Sequence, residues 1–169
     1  MLIKQITLSN FRQYREKQVV EFSCNKEKNV TVILGDNTSG KTTLIQAFNW
    51  CLYGETSFKT KDLINSEALQ EMGIMLSKDV SVEIELIHED KLYVIRRTQK
   101  VTKNVPGRVP TFSTPVLKVE YKEPNGEMQE VSSLQCQSTI NKVLPEALSG
   151  YFFFDGEHIS DINNKGNVV

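Results

Sequence analysis

Gly35-Asp36-Asn37-Thr38-Ser39-Gly40-Lys41-Thr42-Thr43 fits the pattern G-x-x-x-x-G-K-[ST] at every position. The two glycines permit a tight loop whose backbone N–H groups curl around a phosphate chain. In such a loop Lys41 reaches the β- and γ-phosphates and the Thr42 hydroxyl ligates Mg²⁺. Asn37 and Ser39 present backbone N–H groups, Gly35, Thr38 and Gly40 complete the cradle, and Thr43 adds a second hydroxyl near the α-phosphate. Asp36 would repel a triphosphate, so it is expected to point away or to cap the loop through its own backbone. The flanks agree with the loop. Asn29-Val30-Thr31-Val32-Ile33-Leu34 is a short β-branched run, expected to be a strand that ends at Gly35. Leu44, Ile45, Ala47, Phe48, Cys51 and Leu52 follow at helical spacing, with Gly54 as C-cap. Strand, glycine loop and helix together aim a helix N-terminus at an anion.

Outward from this unit the pattern is β-rich. Leu2 to Leu8 and Gln18 to Ser23 read as strands. Val80 to Leu86 alternates apolar with polar, and Leu92 to Arg97 follows after a polar turn at His88-Glu89-Asp90, which predicts a hairpin with one solvated face. Val116 to Lys122 and Met128 to Val131 flank Pro124-Asn125-Gly126, a second hairpin signal. The stretch Thr98 to Pro115 reads as a loop, Ser133 to Val143 as a helix, and Tyr151-Phe152-Phe153-Phe154 as a buried aromatic strand closed by Asp155-Gly156-Glu157. The expected fold is α/β, a mixed sheet with an antiparallel hairpin layer and few helices.

Composition narrows the class. A chain of 169 residues can bury a core, and 39% hydrophobic with 24% charged residues is ordinary for a globular domain. A formal net charge of -1 gives no global signal for nucleic acid. No apolar run reaches membrane-spanning length, and the N-terminus lacks a signal peptide's apolar stretch, so a cytoplasmic protein without a membrane partner is expected. Cys24, Cys51 and Cys136 form no C-x-x-C pair and read as reduced, buried thiols.

Several runs then agree on a family. Ile6-Thr7-Leu8-Ser9-Asn10-Phe11-Arg12, the Gly35–Thr43 loop and Phe48-Asn49-Trp50-Cys51-Leu52-Tyr53-Gly54 together resemble the head of an SMC-type ABC ATPase. The group includes chromosome-maintenance, double-strand-break-repair and RecF-like proteins. The segment Tyr151 to Ile159, with Phe154-Asp155-Gly156-Glu157, is similar to DndD-type ATPases of DNA phosphorothioation and to the Lamassu SMC-like defence subunit. The resemblance covers nearly the whole chain and only the N-terminal lobe of such a head.

The resemblance implies roles. Arg12 would contact the nucleotide phosphates. Asp155 stands where most relatives carry a glutamine that approaches Mg²⁺ and the attacking water, and a carboxylate can ligate Mg²⁺ directly or through water. The cofactors would be ATP and Mg²⁺, with Lys41 and Asp155 as the catalytic pair. Two elements of a working head are not found in the sequence: an apolar run ending in Asp-Glu, and a Leu-Ser-Gly-Gly signature. Ala147-Leu148-Ser149-Gly150 is a partial match only. Residues 1–169 therefore read as one lobe of a split head, with 155–169 leading toward a coiled coil. Alone it is expected not to turn over ATP. The expected partners are the C-terminal lobe, a second head in a dimer, double-stranded DNA, and nuclease or modification subunits.

DNA contact has its own sequence cue. From Lys91 to Lys122 the charges are Lys91, Arg96, Arg97, Lys100, Lys103, Arg108, Lys118 and Lys122 against Glu120 alone. Such a patch suits phosphate-backbone contact, with Arg96, Arg97 and Lys100 foremost, although most charge runs are solvated faces. Two readings stand: an ATPase that senses or processes DNA in defence, modification or repair, and a non-hydrolysing nucleotide- or DNA-binding regulatory module. A P-loop kinase or GTPase is disfavoured, because the hairpin insertion has no role there and no Asn-Lys-x-Asp motif is present.

Overall fold

The computed structural model describes residues 1–25, 27–60 and 62–153. Its centre is a seven-stranded sheet in the order β2-β1-β3-β4-β6-β7, with β5 pairing onto β4. The strands are β1 (Leu2–Phe11), β2 (Tyr14–Glu21), β3 (Ser77–His88), β4 (Lys91–Thr102), β5 (Thr111–Phe112), β6 (Val116–Lys122) and β7 (Met128–Glu130). Every pairing among the described residues is antiparallel. The helices are α1 (Lys41–Tyr53), α2 (Ser66–Glu71), α3 (Cys136–Val143) and α4 (Ser149–Phe152).

The β3–β4 hairpin dominates the sheet and is longer than its alternation suggests. Its turn, Glu89-Asp90, holds both residues at positive φ (48° and 60°), the geometry whose twist matches paired strands. Val80, Val82, Ile84 and Leu86 of β3 and Ile95 and Val101 of β4 are buried on one face. There they meet Leu44, Ala47, Phe48, Cys51 and Leu52 of α1, with Ile140 and Leu144 alongside. A period of two in the strands and of three to four in α1 thus points at one core.

Three expectations change. The run 29–34 joins no ladder among the described residues, and Val30, Val32, Ile33 and Leu34 are exposed, Leu34 to 88%. A β-branched run needs a neighbouring strand to become a strand, and here the Ser23 N–H reaches only the Thr31 side chain, at 2.9 Å, with no ladder formed. Tyr151 and Phe152 are exposed in the single helical turn of α4, not buried in a strand. Only Phe153 packs inward, stacked on Phe48 at 5.1 Å; Phe154 lies outside the described residues. Part of the expected 98–115 loop is ordered pairing, because β4 continues to Thr102 and β5 returns against Val101 and Thr102.

Candidate functional site: the phosphate loop at the head of α1

Two left-handed glycines bound α1. Gly40 (φ 102°) precedes it and Gly54 (φ 81°) ends it, with the Gly54 N–H donating to Trp50 O. The loop before Gly40 closes on itself: the Ser39 N–H donates to Asp36 O at 3.2 Å, and Thr38 sits at φ 70°. A Cβ at Gly35 would lie 2.5 Å from Ser39 Oγ, so a larger residue there would have to turn the Ser39 side chain aside. Lys41 Nζ lies across the loop, donating to Gly35 O at 2.6 Å and to Asp36 O at 2.7 Å. Asn37, Thr38, Gly40, Lys41, Thr42 and Thr43 line a 300 Å³ cleft together with Gln13. This cleft opens at the N-terminus of a 13-residue helix, where unsatisfied N–H groups and the dipole favour an anion.

The β1–β2 turn braces this loop. Asn10 and Arg12 take positive φ beside a register shift between Ser9 and Phe11, which turns the hairpin end toward α1. Gln13 Oε1 then accepts the Thr43 hydroxyl at 2.6 Å, and the Tyr14 hydroxyl donates to Gly40 O at 3.1 Å. Burial raises the Tyr14 pKa above its usual 10.0. Neither Gln13 nor Tyr14 is singled out by the motif; the one cue is that Gln13 follows Arg12.

Arg12 lies beside the phosphate cleft and does not line it. Its guanidinium donates to Thr60 Oγ1 (3.0 Å) and Asp62 O (2.8 Å) and lies 4.4 Å above the Phe58 ring. It lines an adjacent cleft with Ile64, Asn65 and Glu67, and Gln13 is the residue shared with the phosphate cleft. Asp155 lies outside the described residues. Among the described residues no cluster of three or more His, Cys, Asp or Glu could hold a metal, and the exposed Thr42 hydroxyl is the Mg²⁺-compatible donor at the cleft. Mg²⁺ keeps several waters and takes phosphate oxygens, so a single hydroxyl from this loop fits it.

The C-terminal end of α1 is closed. Arg97 is only 8% exposed, and its guanidinium donates to Cys51 O at 3.0 Å and Leu52 O at 3.3 Å. Gln137 Nε2 adds a third donor, to Leu52 O at 3.0 Å. Burial lowers the Arg97 pKa, while the buried Cys51 thiol is pushed up to about 12 by the same desolvation. Arg97 is thus a helix cap and cannot reach a DNA phosphate, which corrects its place in the expected DNA patch. A cleft at this end carries Glu55 and Glu146 beside Tyr53, the wrong charge for a phosphate.

The rest of the basic patch is also reshaped by pairing. Arg96 donates to Glu83 across β3, Lys91 pairs with Glu123 at 2.9 Å, and Lys118 pairs with Glu130 at 3.0 Å. Acids distant in sequence reach these cations through the sheet register. Lys100, Lys103, Arg108 and Lys122 have no ion pair among the described residues.

A family model described as an AAA domain matches residues 5–165. The chain belongs to this AAA-domain family. It is 25% identical over its full length to the DNA replication and repair protein RecF of Clostridium botulinum, of which it spans 45%. It is 30% identical over 57% of its length to the DNA double-strand break repair Rad50 ATPase of Methanococcus maripaludis, covering 9% of that protein. The chain therefore spans less than half the length of these relatives. Its fold superposes over 100% of its length on 93% of a solved chain from work on ATP-driven dimerisation and DNA-stimulated activation of SMC ATPases, at a TM-score of 0.55 and 23% identity. The fold is that of the N-terminal part of an SMC-like ABC ATPase head. No helix among the described residues is long and apolar enough to cross a membrane.

Proposed function

We propose that this chain is the ATP- and Mg²⁺-binding lobe of an SMC-like ATPase head that couples ATP binding and hydrolysis to sensing or processing DNA. The observation that carries the proposal is the cleft at the head of α1, formed on a complete phosphate-loop pattern and braced by Gln13 and Tyr14. An arriving triphosphate gives Lys41 a charged partner in place of the Gly35 and Asp36 carbonyls, and charge-assisted bonds are the stronger. Thr42 would hold Mg²⁺, which screens the charge on the phosphates when bound. Thr43 must turn its hydroxyl from Gln13 to donate to an α-phosphate. Asp155 is assigned the water- and Mg²⁺-facing position.

The uncovered run 29–34, directly before the loop, supports a second lobe. A strand of that lobe would pair with it and cover Val30, Val32 and Leu34. The lobe would add the acidic residues that the described cleft lacks, and a second head would complete the dimer around two nucleotides. Residues 155–169 would lead into the coiled coil. Double-stranded DNA is the proposed effector, with nuclease or modification subunits as companions in a phosphorothioation, Lamassu-type defence or repair system.

One observation favours a second reading. No carboxylate lines the described part of the phosphate cleft, as a non-hydrolysing nucleotide- or DNA-binding regulatory module would have it. ATP turnover decides between the two, measured on this chain alone and on the chain with the C-terminal lobe, each with and without duplex DNA. The proposal expects turnover only when both lobes are present, stimulated by DNA and abolished by Lys41→Ala. Tight binding without turnover in the two-lobe protein would favour the regulatory module.

A further inference from the structure

At the open end of the β3–β4 hairpin, beyond Ser77 and Thr102, two segments converge. One displays Ile74, Met75 and Leu76, the other Val105 and Val109, and all five are exposed, Val109 to 81%. Their backbones are tied. The Met75 N–H donates to Lys103 O at 2.7 Å and the Lys103 N–H returns to Leu76 O at 3.0 Å. Asn104 Nδ2 donates to Val109 O at 2.6 Å and to Thr111 Oγ1 at 2.9 Å. Met75 is held at φ 63°, a region that costs a residue with a Cβ. These apolar side chains are therefore presented outward by a hydrogen-bonded frame. Between the segments lies a 460 Å³ cleft walled by Leu69, Ile74, Val105, Pro106 and Pro110. Arg108 and Lys103 line it, the Lys103 ammonium donating to Gln70 O at 2.6 Å, and no carboxylate does.

We propose that this cleft docks an acidic amphipathic segment of a partner protein. Its apolar side chains enter beside Ile74 and Val105, and its carboxylates face Arg108 and Lys103. The composition of the site selects this occupant. A DNA backbone would satisfy the cations but leave Ile74, Met75 and Val109 uncovered. A second copy joined through the same patch would set Arg108 and Lys103 against their own equivalents, because a two-fold contact is self-complementary. An acidic helix with one apolar stripe answers both features, and the fixed backbone lowers the ordering cost of binding it. The site is separate from the phosphate cleft and does not depend on the function assigned there.

The test uses the full chain and three labelled probes: an acidic helix of about 16 residues with Leu at i, i+3, i+4 and i+7, its scrambled isomer of identical composition, and a short DNA duplex. Fluorescence anisotropy is expected to show saturable binding of the amphipathic helix, at least about tenfold tighter than its isomer. Arg108→Glu and Val105→Ser should each weaken it about tenfold, with added salt weakening it further. Lys41→Ala should leave it unchanged. Both patch residues are exposed, so circular dichroism should report an intact fold. Failure of the amphipathic helix to bind, equal affinity for the scrambled isomer, duplex binding that Val105→Ser abolishes, or self-association that Met75→Ser abolishes would each overturn the proposal.

Discussion

The C-terminus of α1 is sealed by protein, and its N-terminus is left open to solvent. At the closed end Arg97 and Gln137 fill the last carbonyls, and the Gly54 N–H completes the cap. At the open end the N-cap is Gly40, which has no side chain to accept from the first N–H groups, and no acidic residue occupies the first turn. Capping statistics favour Ser, Thr, Asp or Asn at such a position. The fold thus neutralises the negative end of the helix dipole internally and reserves the positive end for an anion from outside. Stability resides at one end of the helix and binding at the other.

That division can be broken from either side. Arg97→Ala should produce the largest effect, a loss of about 3 kcal/mol in unfolding free energy, because two carbonyls lose charged donors in a buried site. Urea denaturation would read it, and Arg97→Lys should recover only part. Lys41→Ala should do the reverse: ATP affinity falls about a hundredfold, while stability moves by less than about 0.5 kcal/mol. Equal stability losses in the two variants would erase the distinction between the ends.

Alkaline pH probes the closed end again. The folded chain keeps the Cys51 thiol neutral up to about 12, against 9.0 for an ordinary cysteine. Above 9.0 the unfolded chain releases that proton while the folded chain retains it, so stability is full below 9.0 and falls as pH rises toward 12. At pH 10 the loss is about 1.4 kcal/mol. Tyr53, raised to about 12 by burial and the nearby Glu146, adds to the fall only above its usual 10.0. Cys51→Ala should flatten the urea midpoint between pH 9 and 10, and an unchanged slope in that variant would show that the thiol is not the titrating group. The smallest effect is expected from Gln13→Ala. Freeing the Thr43 hydroxyl should change ATP affinity about fivefold, roughly 1 kcal/mol, with the direction reporting whether Gln13 competes with the nucleotide or positions Thr43 for it.

The loop and the helix behind it were readable because the pattern Gly35 to Thr43 and the spacing of Leu44 to Leu52 are local. The two hairpins were readable for the same reason, from Glu89-Asp90 and Asn125-Gly126. What alternation could not supply is pairing across distance. Arg97 lies two residues from the buried Ile95, so alternation alone puts it on the core face; what local pattern could not show is that the last carbonyls of α1 meet it there. Arg96, Lys91 and Lys118 form a basic run on paper, yet Glu83, Glu123 and Glu130 meet them in space. Gln13 reaches Thr43 through a bulged hairpin end that no short motif encodes. The run 29–34 shows the converse, a strand-like composition with no partner strand among the described residues.

Amide NMR of this chain titrated with Mg²⁺ and ATP tests the open end of α1 most directly. The shifts should concentrate on Gly35 to Thr43 and on Gln13 and Tyr14, and vanish in Lys41→Ala. Shifts centred elsewhere, for example on residues 100–108, or shifts that survive Lys41→Ala, would contradict this.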